Sequence, residues 1–348
     1  MGLEAVVVAG GLGTRLLPLT ARRPKHLLEV GGVPLLEHQL AKLSQAGVDH
    51  VVLATSYRAE LFQPVLRDGS RWGLRLDYAT EAEPLGTAGA IRNVVGMLGG
   101  DPHAPVAVLN GDILSGHDLA AQLDDFYTTR DGVPVDVSLH LVEVEDARPF
   151  GCVPTDDSGV VTAFLEKSDD PVTRQINAGC YLFRRRVVDL IPTGREVSVE
   201  RETFPALVES GALLVGYLEN ASWRDVGTPE ALVAASRDVV LGRVRTPAAA
   251  PGMNGAQVSS TATVHPSALT ADGSSILSGA EIGAGAVVRG SIVMAGAVVG
   301  VDAVVEDSVL GPGARVGDGA RLQSVVVGDE GTVAAGATPA PGTRVECE

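Results

Sequence analysis

Apolar and polar positions along this 348-residue chain follow two different rhythms. The first extends to residue 242. Leu3–Ala9 is a short apolar run of the kind buried on both faces of a parallel sheet, and it ends at glycines. Pro34 stands where a helix can start; Leu36, Leu40 and Leu43 then share one face, and Gly47 can cap the end. Val51–Ala54 and Val106–Leu109 read as further strands, the second running into Asn110-Gly111-Asp112. Strands interleaved with helices predict an α/β domain with a Rossmann-like, mainly parallel sheet covered on both faces. Ligands of such sheets bind beyond the carboxyl ends of the strands, where the glycines and Asp112 fall.

A stretch without period follows, Arg245–Gly255 (RTPAAAPGMNG), rich in Pro, Ala and Gly as interdomain linkers are. Beyond it the rhythm changes. Val287, Val293, Val299, Val305, Leu310, Val316, Leu322, Val327 and Val333 recur at steps of 6, 6, 6, 5, 6, 6, 5 and 6, and Ile276 and Ile282 extend the series backwards. Gly and other small residues fill the intervals, as in IGAGAV, GPGARV and GDGARL. This period fits neither a helix nor a simple alternating strand. It predicts a left-handed parallel β-helix of hexapeptide repeats, each hexad forming one short side with its aliphatic residue turned into a stacked core. The expected organisation is one domain over 1–242, a linker over 243–262 and the β-helix over 263–348.

Composition narrows what such domains can do. Hydrophobic residues make up 45% and charged ones 20%, enough for a large core and too apolar for wholesale disorder. With 27 Lys+Arg against 43 Asp+Glu the formal net charge is −16, which argues against nucleic acid as a partner, since that binding relies on many cationic phosphate contacts. The Leu3–Ala9 run is far shorter than the roughly 20 residues of a membrane span. It also lacks the basic flank and cleavage site of a secretory signal, so no membrane partner is expected. Cys152, Cys180 and Cys347 are odd in number and far apart, with no C-x-x-C pair; neither a zinc site nor a disulfide framework is expected, and a reducing cytoplasm is the expected location. Only three lysines occur, Lys25, Lys42 and Lys167. If the chain handles phosphate, its cations must be concentrated in a few places.

The glycine loop is the first such place. Gly10-Gly11-Leu12-Gly13-Thr14-Arg15 follows the first strand, and Pro24-Lys25 comes soon after. Glycines let a backbone approach a polyphosphate and turn its N–H groups toward it. The Walker template fails because Gly-Lys-Ser/Thr is missing, and the dinucleotide fingerprint fails because Leu16 stands at its third glycine. What remains is a loop with cations. Residues 1–25 hold Arg15, Arg22, Arg23 and Lys25 against Glu4 alone, and local positive charge in an acidic chain marks an anion site.

GGLGTRLLPLT followed by PK resembles the signature of the sugar-1-phosphate nucleotidylyltransferases. EAEPLGTAG (81–89), LNGD (109–112), FLEK (164–167), NAG (177–179) and WRDVGTP (223–229) match further motifs of that family in order, and several such enzymes carry a C-terminal β-helix. Within the family, PLGTAG, FGCVP (150–154), SVERETFPAL (198–207) and WRDVGTP together most resemble the mannose-1-phosphate guanylyltransferases. That resemblance implies GTP and mannose-1-phosphate as substrates, GDP-mannose and pyrophosphate as products, and Mg²⁺ as cofactor.

The resemblance also implies roles. Gly10, Gly11, Gly13 and Thr14, with Gly86, Thr87 and Gly111, would line the nucleotide. Arg15 would hold the triphosphate, and Lys25 would neutralise phosphates near the reacting centre. Asp112, at the end of an apolar strand, and Asp225 in WRDVGTP would be the metal ligands; hard carboxylate oxygens beside substrate phosphates suit Mg²⁺. Glu166 would accept from sugar hydroxyls and Lys167 would meet the sugar phosphate, with Asn177 and the Gly151 backbone completing those contacts. Lys42, on the helix after Pro34, is read as solvated. The attacking phosphate oxygen is already anionic at neutral pH, so positioning and charge neutralisation can carry the reaction without a general base.

Base choice rests on Glu81. An ionised Glu only accepts hydrogen bonds. Guanine offers adjacent N1–H and N2–H₂ donors, whereas thymine or uracil offers one N–H between two carbonyls, so Glu81 predicts guanine unless it is only a loop charge. Another pair, such as glucose-1-phosphate with dTTP or UTP, stays open, because mannose and glucose differ at a single hydroxyl. An acetyltransferase β-helix would want a His base, and the hexad region offers only His265, at its start. A regulator that merely binds a nucleotide sugar would not need Arg15, Lys25, Asp112, Lys167 and Asp225 together. The flat sides of β-helices often associate, so a homo-oligomer, dimer or higher, is expected.

Overall fold

The computed structural model describes residues 2–348 apart from Ala82, Gly100 and Glu166. The chain divides into two compact units: one is the chain up to Gly10 with Gln39–Trp223, the other Gly11–His38 with Arg224–Glu348.

Seven strands of the first unit form one sheet: β1 (Leu3–Ala9), β2 (Val48–Thr55), β3 (Arg75–Thr80), β4 (Pro105–Asn110), β5 (Val137–Glu143), β6 (Gln175–Arg184) and β7 (Leu214–Leu218). Their spatial order is β7-β5-β6-β4-β1-β2-β3. Strand β6 runs antiparallel to both β5 and β4; the other neighbours are parallel. The mainly parallel sheet read from the apolar runs is therefore present, and β1 has the span its run predicts. Val6, Val52, Val108, Leu139 and Tyr181 pack with Ile91 and Phe204 into its core. Helix α1 (Leu35–Gln45) begins one residue after Pro34 and buries Leu36, Leu40 and Leu43 completely. Helix α2 (Gly86–Val94) follows the PL of PLGTAG, and α3 (Leu119–Tyr127) is capped by Asp118, whose carboxylate accepts from the Ala121 N–H.

One expectation on α1 fails. Lys42 is not solvated: its ammonium donates to both the carbonyl and the hydroxyl of Ser115, each at 2.7 Å. Burial pushes its pKa down to about 8 against the pull of Cys180 and Glu219.

In the second unit, three parallel sheets of six, five and four short strands stack into a β-helix. Its coil has three sides. Ile276 pairs with Val293, Val293 with Leu310 and Leu310 with Val327 on one. Ile282, Val299, Val316 and Val333 share the second, and Val288, Val305 and Leu322 the third. Each coil is thus two steps of six and one of five. That arithmetic corrects the series: Val288, fully buried, fills the core position assigned to Val287, which is only half-buried. Ser274, Ser291 and Ser308 line a corner of the stack, where Ser274 and Ser291 each accept from the N–H one coil on, and Ser308 from Val325 N–H. Helix α4 (Pro229–Val240) starts at Thr228, whose hydroxyl accepts from Ala231 N–H. Its Ser236 hydroxyl meets Ser275 at 2.9 Å and accepts from Gly31 N–H. Among the described residues no helix is long and apolar enough to cross a membrane.

Candidate active site

Within the second unit, the loop after Gly10 is a cation platform. The Gly13 carbonyl accepts from the Thr20 hydroxyl at 2.8 Å and from Leu16 N–H at 2.9 Å, which fixes the turn carrying Thr14 and Arg15. Lys25 crosses the loop so closely that a Cβ on Gly11 would stand 3.6 Å from its Nζ. Arg15 is two-thirds exposed, and its Nη2 lies 3.9 Å from Oδ2 of Asp225, whose Oδ1 is buried. Gly227 of WRDVGTP makes that approach possible, since a Cβ there would collide with the Arg15 guanidinium. The loop and WRDVGTP, two hundred residues apart in sequence, thus converge through Arg15 and Asp225.

The first unit supplies the other expected residues. Gly10 O accepts from the Ser56 hydroxyl, and Gly111 N–H donates to Val8 O at 2.9 Å, tying the turn after β4 to the end of β1. Asp112 is half-buried on that turn. Glu81 follows β3; its Oε2 accepts from Leu85 N–H at 3.3 Å, and burial raises its pKa while that bond lowers it. Gly86, with φ of 70°, opens α2 under the Val197 carbonyl, and the Thr87 hydroxyl accepts from Val199 N–H.

A cavity of about 520 Å³ gathers Thr87, Gly151, Lys167 and Asn177. The motifs FGCVP and FLEK form one wall because Cys152 and Leu165 exchange both backbone hydrogen bonds at 3.0 Å. Asn177 is held by its own motif: its Oδ1 accepts from Gly179 N–H, while its Nδ2 donates to the Tyr181 hydroxyl and to Glu200 Oε1 at 2.6 Å. Glu166 lies outside the described residues. Thr87, expected at the nucleotide, also lines this cavity.

Two residues here escaped the sequence reading. Glu200 and Arg201 line the same cavity, in a π-helical turn, Val199–Thr203, capped by Ser198. Such turns occur often at functional sites. Their motif, SVERETFPAL, was in plain view, but nothing in its spacing says which of its charges faces inward. Neither Lys167 nor Arg201 has an ion-pair partner among the described residues, so the cavity presents two open cations, a carboxylate and an amide. That set can hold a phosphate and accept from hydroxyls.

A buried polar cluster lies beside β4. His117 Nδ1 faces Glu219 Oε2 at 2.6 Å, its Nε2 faces Gln122 Oε1 at 2.8 Å, and His140 stacks on it with centroids 3.8 Å apart. Burial opposes charge on His117, but Cys180 and Glu219 outweigh it and push its pKa up to about 9. His140, facing that charge and Lys42 in a fully buried position, is pushed down to about 2 chiefly by desolvation. His117, His140 and Glu219 converge as three metal donors would. Both nitrogens of His117 already face oxygen acceptors, however, and Lys42 adds a cation beside them, which favours an ion-pair network over a metal.

A family model for nucleotidyl transferases matches residues 4–240, and one described as the GMPPB C-terminal domain matches 253–338. The chain belongs to the nucleotidyl transferase family. The mannose-1-phosphate guanylyltransferase of Mycobacterium tuberculosis is 50% identical over 285 residues, covering 81% of this chain and 77% of that one. The mannose-1-phosphate guanyltransferase of Saccharomyces cerevisiae is 36% identical over 66% of this chain, which spans 62% of it. Among solved structures, HddC from Yersinia pseudotuberculosis complexed with GMP-PN is 26% identical, with a TM-score of 0.57 over 68% of this chain and 99% of that one.

Proposed function

We propose that this protein transfers the guanylyl group of GTP to mannose-1-phosphate, forming GDP-mannose and releasing pyrophosphate. The cavity carries the reading, because Lys167 and Arg201, without ion-pair partners among the described residues, can meet a phosphate while Asn177 and Glu200 offer acceptor oxygens to sugar hydroxyls. The half-identical relative from M. tuberculosis, named for this activity, supports it over glucose-1-phosphate with dTTP or UTP.

Each residue's work follows from charge and position. The sugar phosphate attacks the α-phosphorus as an anion, so no base is needed. Arg15 and Lys25 bear on the triphosphate, and Gly10, Gly11, Gly13 and Thr14 offer it backbone N–H groups, while Gly111, whose own N–H is held by Val8 O, lets the nucleotide approach the backbone. Lys167 and Arg201 orient the sugar phosphate for in-line attack, with Asn177, Glu200, Glu166 and the Gly151 backbone on the sugar. Glu81 reads guanine beside Gly86. The oxygen donors of Asp112 and Asp225 suit Mg²⁺, and we assign both as its ligands; when bound it would neutralise charge on the phosphates. Residues 1–242 would form the catalytic domain and 263–348 the β-helix, which would join subunits of a cytoplasmic homo-oligomer. Pyrophosphate release across GTP, dTTP, UTP and ATP against mannose- and glucose-1-phosphate tests the reading. Turnover highest with GTP and mannose-1-phosphate is expected; preference for any other pair overturns it.

A further inference from the structure

The loop that carries Arg15 and Lys25 is held from one end of the β-helix. Arg23 forms a two-point ion pair with Asp329, Nη1 to Oδ1 at 3.0 Å and Nη2 to Oδ2 at 2.5 Å, and Asp329 is only 4% exposed. Arg22 reaches the Glu348 carbonyl at 2.5 Å and Glu330 Oε2 at 3.7 Å. Arg344 donates to Leu17 O at 2.8 Å, and the Cys347 thiol faces Pro18 O at 3.6 Å. Every residue of the loop in these contacts lies between Arg15 and Lys25.

The repeat itself shows that this end is specialised. Counting back by one coil, the position of Asp329 is held by Pro312, Ala295 and Ser278, none of them charged. The position of Glu330 is held by Gly313, Gly296 and Gly279, at φ of 69°, 67° and 68°. Glu330 keeps the same left-handed backbone, φ 61°, although it is not glycine. An L side chain is disfavoured there by about 1 kcal/mol or more. Asp302 likewise replaces glycine between Gly285 and Gly319, so the backbone alone does not single this coil out; what does is that the carboxylates of Glu330 and Asp329 meet the two arginines of the loop.

We propose that Asp329 is a positioning residue for the reaction. Through Arg23 it fixes the loop that presents Arg15 and Lys25 to the triphosphate, so the last coil of the β-helix is part of the catalytic apparatus. This rests on the activity proposed above. Asp329→Asn keeps the shape and one acceptor but removes the charge. The KM for GTP should rise about tenfold or more, while the KM for mannose-1-phosphate stays within a factor of about two. Asp329→Glu should recover part of the loss. A purely structural role would lower kcat with the unfolded fraction and leave both KM values unchanged. Tryptic cleavage at Arg22 and Lys25, followed by mass spectrometry, reads the loop without any substrate and should accelerate in Asp329→Asn. An unchanged KM for GTP, or unchanged cleavage, overturns the proposal. If the wild type releases no pyrophosphate, the activity assignment fails and the cleavage rates alone decide whether Asp329 holds the loop.

Discussion

Glu219→Gln gives the sharpest test of the buried network beside β4. Glu219 accepts from His117 at 2.6 Å and lies within 3.4 Å of the Asp118 N–H, and the His117 side chain is 1% exposed. Gln keeps one acceptor for Asp118 but removes the charge that His117 needs. At about 1.4 kcal/mol per pKa unit, a rise in His117 from 6.5 to about 9 is worth about 2.5 kcal/mol of stability at pH 7. A histidine raised in the folded state stabilises fully below its unfolded value, and that stability is lost as pH rises through about 9. The variant should therefore be less stable at pH 7 by up to about 2.5 kcal/mol, Cys180 holding up part of the shift, and the gap should close toward pH 10. The difference between the two proteins carries the test, because Lys42, pushed down to about 8, gains stability over the same alkaline range. Urea unfolding of both proteins at intervals from pH 6.5 to pH 10 measures it. A gap that stays constant over that range would refute a charged His117.

Gly179→Ala should cut kcat by about 10–100-fold, because φ there is 75° and a Cβ would stand 2.8 Å from Asn110 Nδ2, two residues from Asp112. Steady-state pyrophosphate release checks it; near-normal turnover means β4 absorbs the intrusion. Asp112→Asn should lower kcat by a factor on the order of 10²–10³ at saturating Mg²⁺, and near-normal activity sinks its metal role. Glu81→Gln retains an acceptor for Leu85 N–H, so folding should survive while the GTP-over-dTTP ratio of kcat/KM falls at least about tenfold. An unchanged ratio removes Glu81 from base reading.

What could be read in the sequence was local. The apolar run of β1, the glycine loop and the face of α1 are set by neighbours a few residues apart, and each is found where its pattern puts it. The solvated reading of Lys42 failed because its partner, Ser115, comes from another segment of the chain. The His117 network joins three segments through Gln122, His140 and Glu219, and no spacing announces it. Glu200 and Arg201 were within a quoted motif, yet their inward aim depends on a π turn that leaves no mark in composition. Two adjacent valines, Val287 and Val288, are equally apolar; only the regular coil of six, six and five selects the second.

That coil also turns the β-helix into its own control. Once the register is known, every position can be compared with its equivalents in the coils before it, which share its backbone and its packing but not its neighbours in the second unit. Glycine at three successive left-handed positions is what backbone strain favours, although Asp302 shows that another corner of the coil admits a side chain. Glutamate at the fourth, next to an aspartate where the earlier coils hold Pro, Ala and Ser, departs from that preference at the one place where the coil meets Arg22 and Arg23. The departures fall on charge and leave the core columns intact, since Val327 and Val333 continue the aliphatic series without a break. Two carboxylates at neighbouring outward positions of one coil answer to what that coil touches, and what it touches here is the loop bearing Arg15 and Lys25.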